Sequence, residues 1–273
     1  MEKTLTLLSF LLLSIFSCGT NPISIPVAPE TIVIDSPRVE VNKIHEDAVK
    51  ILAKKPTPVF GYRFIIEGDF DGDGKMEKLI EHYFSQKTHT ETNKFYEGLE
   101  DYDDLVTLSI DKEPFSFALC DNKNIDTLYI TSMGQVLGLS YLKNEGDLNG
   151  DGTDEVSYVI NWADWSNLNT WHIATYKNNR WEEIYSFPIW DWQLPDLPGA
   201  FNDYGLFGTQ GKIINTQNDS INRSMEAELK NFKGLVKKIK KNKIQITFKN
   251  MEASEETRVV DIRVPLKLEP VEW

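Results

Sequence analysis

Two short acidic segments that contain glycine constrain this chain more than any other feature of its sequence. Segment 68–81 reads GDFDGDGKMEKLIE and segment 146–160 reads GDLNGDGTDEVSYVI, so acidic or amide side chains stand at alternate positions at the start of each. Apolar residues alternate with other residues at 62–66, before the first segment, and at 156–162, after the second. Alternation is the period of β-strands. Both segments are therefore expected to be turns between strands, in a chain that is mainly β.

The spacing of the oxygen atoms in these loops fits a calcium ion. Ca²⁺ is a hard cation that takes about six to eight oxygen ligands, so a short loop must direct several oxygens to one point. Gly74 and Gly152 occupy the sixth position of the two loops, where the chain turns sharply. An acidic turn without an ion is the alternative. The expected ligands, with the seventh position contributing its backbone carbonyl, are Asp69, Asp71, Asp73, Lys75 and Glu77, and then Asp147, Asn149, Asp151, Thr153 and Glu155.

An EF-hand does not fit these loops. It requires a bidentate glutamate at position 12 between two helices, whereas Ile80 and Tyr158 stand there and the flanks are strand-like. With these residues the loops resemble the FG-GAP or VCBS type repeats of integrin-like propellers, whose calcium loops join two strands of a blade. The resemblance covers the two loops and their adjacent strands, in repeats at about 60–135 and 136–207.

The resemblance implies propeller-like antiparallel β units followed by a C-terminal β segment. Propellers use four or more blades of four strands, and only two loops of this type are visible. We therefore expect an incomplete or degenerate β-propeller. Two β units with an unrelated cap, and a sandwich that carries the same loop, stay open as alternatives.

The N-terminal residues predict export and lipid anchoring. Residues 1–17 carry Lys3 and then an apolar run shorter than the roughly 20 residues that span a bilayer, which is typical of a signal peptide. The residues that end at Cys18 resemble a bacterial lipobox, which implies a lipid on Cys18. An ordinary cleaved signal is the alternative. Prolines in 18–41 predict a tether, and 42–273 is the predicted β domain of a protein held on a membrane of the bacterial cell envelope, at its periplasmic face or the cell surface.

Composition excludes some partners. The net charge is -13, and a nucleic-acid surface needs clustered positive charge, so no nucleic-acid partner is expected. The chain has 2 cysteines, and a lipid on Cys18 leaves Cys120 without an intramolecular partner. An exported domain of this kind depends on its core, and on bound ions, for stability.

Local patterns predict the remaining elements. One or two short helices are expected, at 42–54 and 224–232. The motif YKNNRW at 176–181 predicts a hairpin turn, because asparagine tolerates positive φ. The basic run KKIKKNK at 237–243 is interpreted as the solvated turn of another hairpin, with a surface patch as the alternative. Alternating strands are further predicted at three places: 106–110, 244–248 and 260–266.

Tryptophans are concentrated in one part of the chain. Six of the 7 lie between Tyr158 and Phe207, and those in strands are expected to pack in the core. Two loop-like stretches place indoles beside acidic and amide side chains, an arrangement that suits a sugar face or a peptide. Packing is the leading interpretation for these loops as well, and a binding platform is the alternative. The candidate platform residues are Trp162, Trp165, Trp190 and Trp192.

No catalytic residue is predicted. The 4 histidines show no zinc spacing, and the sequence contains neither a G-x-S-x-G motif nor a P-loop; Glu81, His82 and His89 are interpreted as ordinary strand and loop residues. The leading hypothesis is a lipid-anchored, calcium-binding lipoprotein that acts as a binding module for a glycan or protein partner, with ions that stabilise the loops between strands. A metal-supported hydrolase acting on polysaccharide or phosphoester is the alternative. A purely structural envelope lipoprotein is a third reading.

Overall fold

The computed structural model of the 273-residue chain describes residues 62–92, 94, 113–130, 136–162, 167–195 and 220–268. These residues form three antiparallel sheets, so the prediction of a mainly β fold is confirmed. The predicted signal peptide, Cys18, the tether, the helix at 42–54, the strand at 106–110 and Trp165 lie outside the described residues. No helix in the described ranges is long and apolar enough to cross a bilayer.

Sheet A carries the first acidic loop. The loop joins the first two strands, with Ile65 opposite Ile80 and Gly68 opposite Glu77. In spatial order the main strands are β1 (Ile65–Gly68), β2 (Glu77–Ser85), β4 (Pro114–Cys120) and β5 (Leu128–Ile130), and β3 (Thr90–Glu91) pairs with the end of β2.

Sheet B is a four-stranded antiparallel meander in which the second acidic loop again joins the first two strands. Its last two strands meet at Asn178 and Asn179, whose φ angles are 54° and 61°, so the predicted hairpin turn is confirmed. The strands, in both chain and spatial order, are β6 (Val136–Gly146), β7 (Glu155–Trp162), β8 (Leu168–Lys177) and β9 (Arg180–Trp190).

Sheet C contains the basic run. Its strands are β10 (Val236–Lys240), β11 (Lys243–Lys249) and β12 (Glu255–Asp261), and the turn between the first two confirms the hairpin predicted at 237–243. The strand predicted at 260–266 is wrong beyond Asp261. There the carboxylate of Asp261 accepts the backbone N–H of Arg263, and its carbonyl accepts that of Val264, which closes a turn.

One α-helix, α1 (Ser220–Asn231), precedes sheet C, and a short 3-10 helix (Asp191–Gln193) follows β9 within the described residues. The helix predicted at 224–232 is therefore confirmed, although it begins four residues earlier. Leu229 of α1 packs against the two largest apolar clusters, which are described next.

Two apolar clusters cover the two faces of sheet B. The first lies between sheets A and B and includes Phe64, Leu79 and Val156, which are at most 2% exposed. The second lies between sheets B and C and includes Trp171 and Ile244, both 0% exposed. Sheet B is thus the central layer, which explains why β7 is buried on both faces at its start. The described residues show a five-stranded sheet A and a four-stranded sheet B, each with an acidic loop between its first two strands, and no closed ring of blades.

Candidate functional site

Three carboxylates of the first acidic loop converge. One oxygen atom from each of Asp69, Asp71 and Glu77 lies within 4.8 Å of the others. Asp69 Oδ1 is buried and has no hydrogen-bond partner within the described structure, and Glu77 is only 5% exposed. A buried carboxylate oxygen without a donor is costly unless a cation or a proton satisfies it. These three residues could therefore hold a metal ion.

The loop backbone positions these carboxylates. Gly72 and Gly74 have φ angles of 76° and 84°, so the chain turns through conformations that side chains disfavour. The Gly74 N–H donates to Asp69 Oδ2 at 3.0 Å, and the Phe70 N–H donates to Glu77 Oε2 at 3.0 Å. The Phe70 ring is fully buried in the first core cluster, which fixes the loop on sheet A.

The loop concentrates negative charge. Burial raises the pKa of Glu77, and the charges of Asp71, Asp73 and Asp69 raise it further, against the lowering effect of the Phe70 N–H. Crowded carboxylates of this kind repel one another until a cation neutralises them.

One residue predicted as a first-loop side-chain ligand, Asp73, is engaged elsewhere. The Asp73 carboxylate accepts hydrogen bonds from the Lys75 ammonium at 2.6 Å and from the Lys75 N–H at 2.8 Å. These bonds lower the pKa of Asp73. The structure thus brings together the side chains of Asp69, Asp71 and Glu77, while Asp73 points to Lys75.

The second loop is satisfied by its own backbone. Asp147 accepts the N–H groups of Gly150, Asp151 and Gly152. Among the described residues, the first loop alone gives a group of three convergent carboxylates, cysteines or histidines. The remaining predicted ligands with side-chain oxygens also bond locally: Asn149 to Asp151 N–H, Asp151 to Thr153, and Glu155 to Leu148 N–H and to Asn149.

Glu155 is the most deeply buried of the second-loop residues. It is 0% exposed, and burial raises its pKa to about 7, although bonds from Asn149, Thr175 and Leu148 oppose the shift. Its carboxylate spans the loop from inside, where it accepts the Leu148 N–H and the Asn149 N–H. Glu155 therefore holds the loop closed on sheet B.

The two loops contact each other. The Asp69 N–H donates to Asp154 Oδ2 at 3.1 Å, and the Asp154 N–H donates to the Asp69 carbonyl at 2.8 Å. Asn144 Nδ2 also donates to Asp154 Oδ2, at 2.8 Å. A Cβ on Gly72 would lie 3.2 Å from the Thr153 methyl group, so the loop backbones are close as well. Sequence reasoning gave Asp154 no role, and only its place beside Glu155 in the acidic motif could have drawn attention to it.

The acidic and histidine residues near the first loop do not form a catalytic group. Glu81 bonds to Lys94 at 2.8 Å in the core, whereas His82 bonds to Glu91 at 3.2 Å. They are adjacent in β2, and successive side chains of a strand point to opposite faces. His89 is exposed in the turn after β2.

Some of the predicted aromatic residues pack in the core, and others are exposed to solvent. Trp190 and Trp192 stack with ring centroids 5.9 Å apart, and Trp192 is 59% exposed. Lys249 Nζ lies 5.2 Å from the Trp190 centroid. Trp171 is fully buried, which confirms packing for this strand residue. Trp162, predicted in a loop as a platform residue, instead ends β7 and is half-buried against the first core cluster. The exposed platform in the described structure is therefore the Trp190–Trp192 pair.

Polar side chains surround this pair. Asn169 Nδ2 donates to Asp191 Oδ1 at 2.7 Å, and Gln193 Nε2 donates to Glu255 Oε2 at 2.8 Å. Gln193 Oε1 also accepts the Trp190 N–H at 2.8 Å. These bonds fix the short helix that carries Trp192 to both sheet B and sheet C.

Comparisons of the chain with models of protein families, with characterised proteins and with solved structures find no match. Its function must be inferred from its own residues.

Proposed function

We propose that this protein is an exported, lipid-anchored calcium-binding module of the bacterial cell envelope that binds a glycan or a protein partner. The observation that carries the proposal is the convergence of Asp69, Asp71 and Glu77 around a buried carboxylate oxygen without a donor. All three donors are oxygen atoms, the ligands that hard cations such as Ca²⁺ prefer over sulfur and nitrogen ligands.

A cation in the first loop would stabilise the junction of sheets A and B. Asp69 is both a candidate ligand and the residue whose backbone bonds to Asp154 of the second loop. Neutralising the carboxylates would remove their mutual repulsion and fix the position of Asp69. The ion thus acts on the stability of the domain, with no part in a reaction.

The second loop would take an ion after a local rearrangement. Asp147, Asn149 and Asp151 now accept hydrogen bonds from loop amides, and these side chains would have to exchange amides for the cation. Affinities of extracellular calcium modules, about 10⁻⁴ to 10⁻³ M, are expected for such sites.

The common position of the acidic loop in sheets A and B supports kinship with FG-GAP or VCBS type repeats. In each sheet the acidic loop joins the first and second strands, the position that the resemblance implies for a blade. We include a propeller-like arrangement of these sheets in the proposal. Attachment through a lipid on Cys18 rests on the N-terminal sequence.

The ligand surface we propose is the Trp190–Trp192 pair. The exposed Trp192 ring offers an apolar face. Asp191, which the buried Asn169 holds in place, and Lys249, which lies over the Trp190 ring, supply polar groups beside the pair. Aromatic rings with a polar rim suit the C–H faces and hydroxyl groups of a sugar, or a peptide side chain. A glycan array probed with the full chain and with its Trp192→Ala variant tests this surface, because the variant should lose binding. Binding of a glycan without formation of a hydrolysis product favours a binding module over a hydrolase.

Calorimetric titration of the full chain with CaCl₂ tests the metal sites. We expect two ions per chain in the parent, and loss of one ion in Asp69→Asn and in Asp147→Asn. Glu252→Gln, which removes an exposed carboxylate far from both loops in sequence, is the matched control and should bind like the parent. Absence of calcium-dependent heat in the parent, or an Asp69→Asn variant that binds as the parent does, would refute the proposed metal function.

A further inference from the structure

We propose that the outer face of the sheet C hairpin binds the anionic headgroups of a lipid bilayer. The proposal does not rest on calcium binding, although the hairpin turn contacts the second acidic loop. The hairpin tip, residues 236–243, lies within a stretch, 229–251, that contains eight lysines and no acidic residue, in a chain whose net charge is -13. Lys237, Lys240 and Lys243 are exposed. Positive charge is therefore concentrated at one place on an acidic protein.

Apolar side chains lie among these lysines. Ile239 is 48% exposed and stands at a β-bulge between Lys238 and Lys240. Val259 of β12 is 55% exposed and lies in one row with Gln245 and Lys237. This row is on the outer face, because the neighbouring positions of β11 are the buried ones. The surface therefore combines apolar and cationic side chains, and strand β10 contains no carboxylate.

The remaining lysines hold the tip in place. Lys238 Nζ donates to the Asp147 carbonyl, and Lys241 Nζ donates to the Gly150 carbonyl at 2.8 Å. The Asn242 N–H donates to the Leu148 carbonyl at 3.0 Å. These bonds dock the turn on the second acidic loop. The outer lysines are therefore presented from a fixed hairpin, which lowers the entropic cost of binding.

Acidic side chains border the surface on two sides: the second acidic loop, on which the turn docks, carries Asp147 and the exposed Asp151, and Asp261 lies at the end of β12. Asp261 is opposite Lys243 across the sheet, and its carboxylate is occupied by the guanidinium of Arg263 at 2.6 Å. The arginine offsets the charge of Asp261. The lysines proposed to bind headgroups are therefore Lys237, Lys240 and Lys243, whereas Lys238 and Lys241 face the acidic loop.

A bilayer fits this surface better than other anionic partners do. Lysine clusters bind anionic headgroups, at about fivefold in affinity per lysine, and the attraction is local because salt screens charges beyond about 8 Å. The exposed Ile239 and Val259 would contact the interfacial region of the bilayer. Single-stranded nucleic acid would favour aromatic stacking surfaces, and residues 236–243 contain no aromatic residue. Duplex DNA, whose phosphates lysines also bind, is included as a competitor in the test.

Vesicle partitioning of the full chain tests the proposal. The measured quantity is a ratio of partition coefficients: binding to phosphatidylcholine vesicles that contain phosphatidylglycerol, divided by binding to vesicles of phosphatidylcholine alone. Other apolar segments contribute to both coefficients, so their contribution cancels in the ratio. We expect Lys237→Gln/Lys240→Gln/Lys243→Gln to lower this ratio at least about tenfold. A control triple variant, Lys87→Gln/Lys123→Gln/Lys267→Gln, removes the same charge elsewhere and should retain most of the parent ratio. The Ile239→Ser variant should lower the ratio moderately.

Three results would overturn the proposal: a parent ratio near one, an equal loss in both triple variants, or duplex DNA that displaces the parent from the vesicles and binds through the same lysines. Thermal unfolding of each variant shows that the fold is retained, which is expected because the replaced side chains are exposed.

Discussion

The ion pair between Glu81 and Lys94 is the most deeply buried charged contact among the described residues. The two side chains are 0% exposed and 2.8 Å apart. Glu81 also accepts the N–H groups of Phe64 and Leu139, and Lys94 donates to the Leu139 carbonyl. Because Glu81 belongs to sheet A and Leu139 to sheet B, the pair connects the two sheets. Burial lowers the pKa of Lys94 to about 8.

Replacing Lys94 by methionine should destabilise the domain strongly. The change leaves the Glu81 carboxylate buried without its cation, which costs about 3–5 kcal/mol in comparable pairs. Urea unfolding measures the loss. Lys87→Met, at an exposed turn residue, is the control and should change the free energy of unfolding by less than about 0.5 kcal/mol. Equal stability of the two variants would contradict this account of Lys94.

Turns between neighbouring strands are the elements that the sequence predicts best. The motif at 176–181 is sufficient to locate the β8–β9 turn, because Asn178 and Asn179 accept positive φ without a long-range contact. The contact between the acidic loops was not predictable in the same way. Asp69 and Asp154 are 85 positions apart, and no local pattern specifies their hydrogen bonds.

The candidate metal site was likewise predictable from local sequence only in part. Spacing selected Asp69, Asp71 and Glu77 correctly as neighbours. It did not show that Asp73 bonds to Lys75, or that Asp147 bonds to loop amides, since these depend on side-chain orientation. The lysine contacts to the second loop were also missed, because the hairpin that supplies them lies 91 positions away in the chain.

The β8–β9 turn gives a test at the level of one element. Asn179 has a φ of 61°, a conformation that costs alanine about 1 kcal/mol and glycine little. We therefore expect Asn179→Ala to lower the free energy of unfolding by about 1 kcal/mol, and Asn179→Gly to keep or raise it. Chemical denaturation compares the two. An alanine variant at least as stable as the glycine variant would show that the turn is not under this constraint.

At the scale of the whole molecule, buried tyrosines make the free energy of unfolding depend on pH in the alkaline range. Burial raises the pKa of Tyr62, Tyr83, Tyr141 and Tyr158, and raises that of Tyr129 to about 12. In the unfolded chain these phenols titrate near 10. A pKa that is higher in the folded state means stability that is complete below about pH 10 and is lost as the pH rises toward the folded value.

The free energy of unfolding should accordingly fall above about pH 10. Each tyrosine that is protonated in the folded state and ionised in the unfolded state contributes a slope of about 1.4 kcal/mol per pH unit. Denaturation at a series of pH values, followed by tyrosinate absorbance, measures the slope. A free energy of unfolding that stays constant between about pH 10 and pH 12 would contradict the burial of these rings.

The central claim is that calcium bound in the acidic loops stabilises the junction of sheets A and B. Thermal unfolding of the full chain, in millimolar CaCl₂ and then in EDTA, tests it most directly. We expect the melting temperature to fall by about 5 °C in EDTA, and to recover with Ca²⁺ but not with Mg²⁺. The Asp69→Asn/Asp147→Asn variant should melt at one temperature in both solutions. A parent protein whose melting temperature is the same in calcium and in EDTA would contradict the claim.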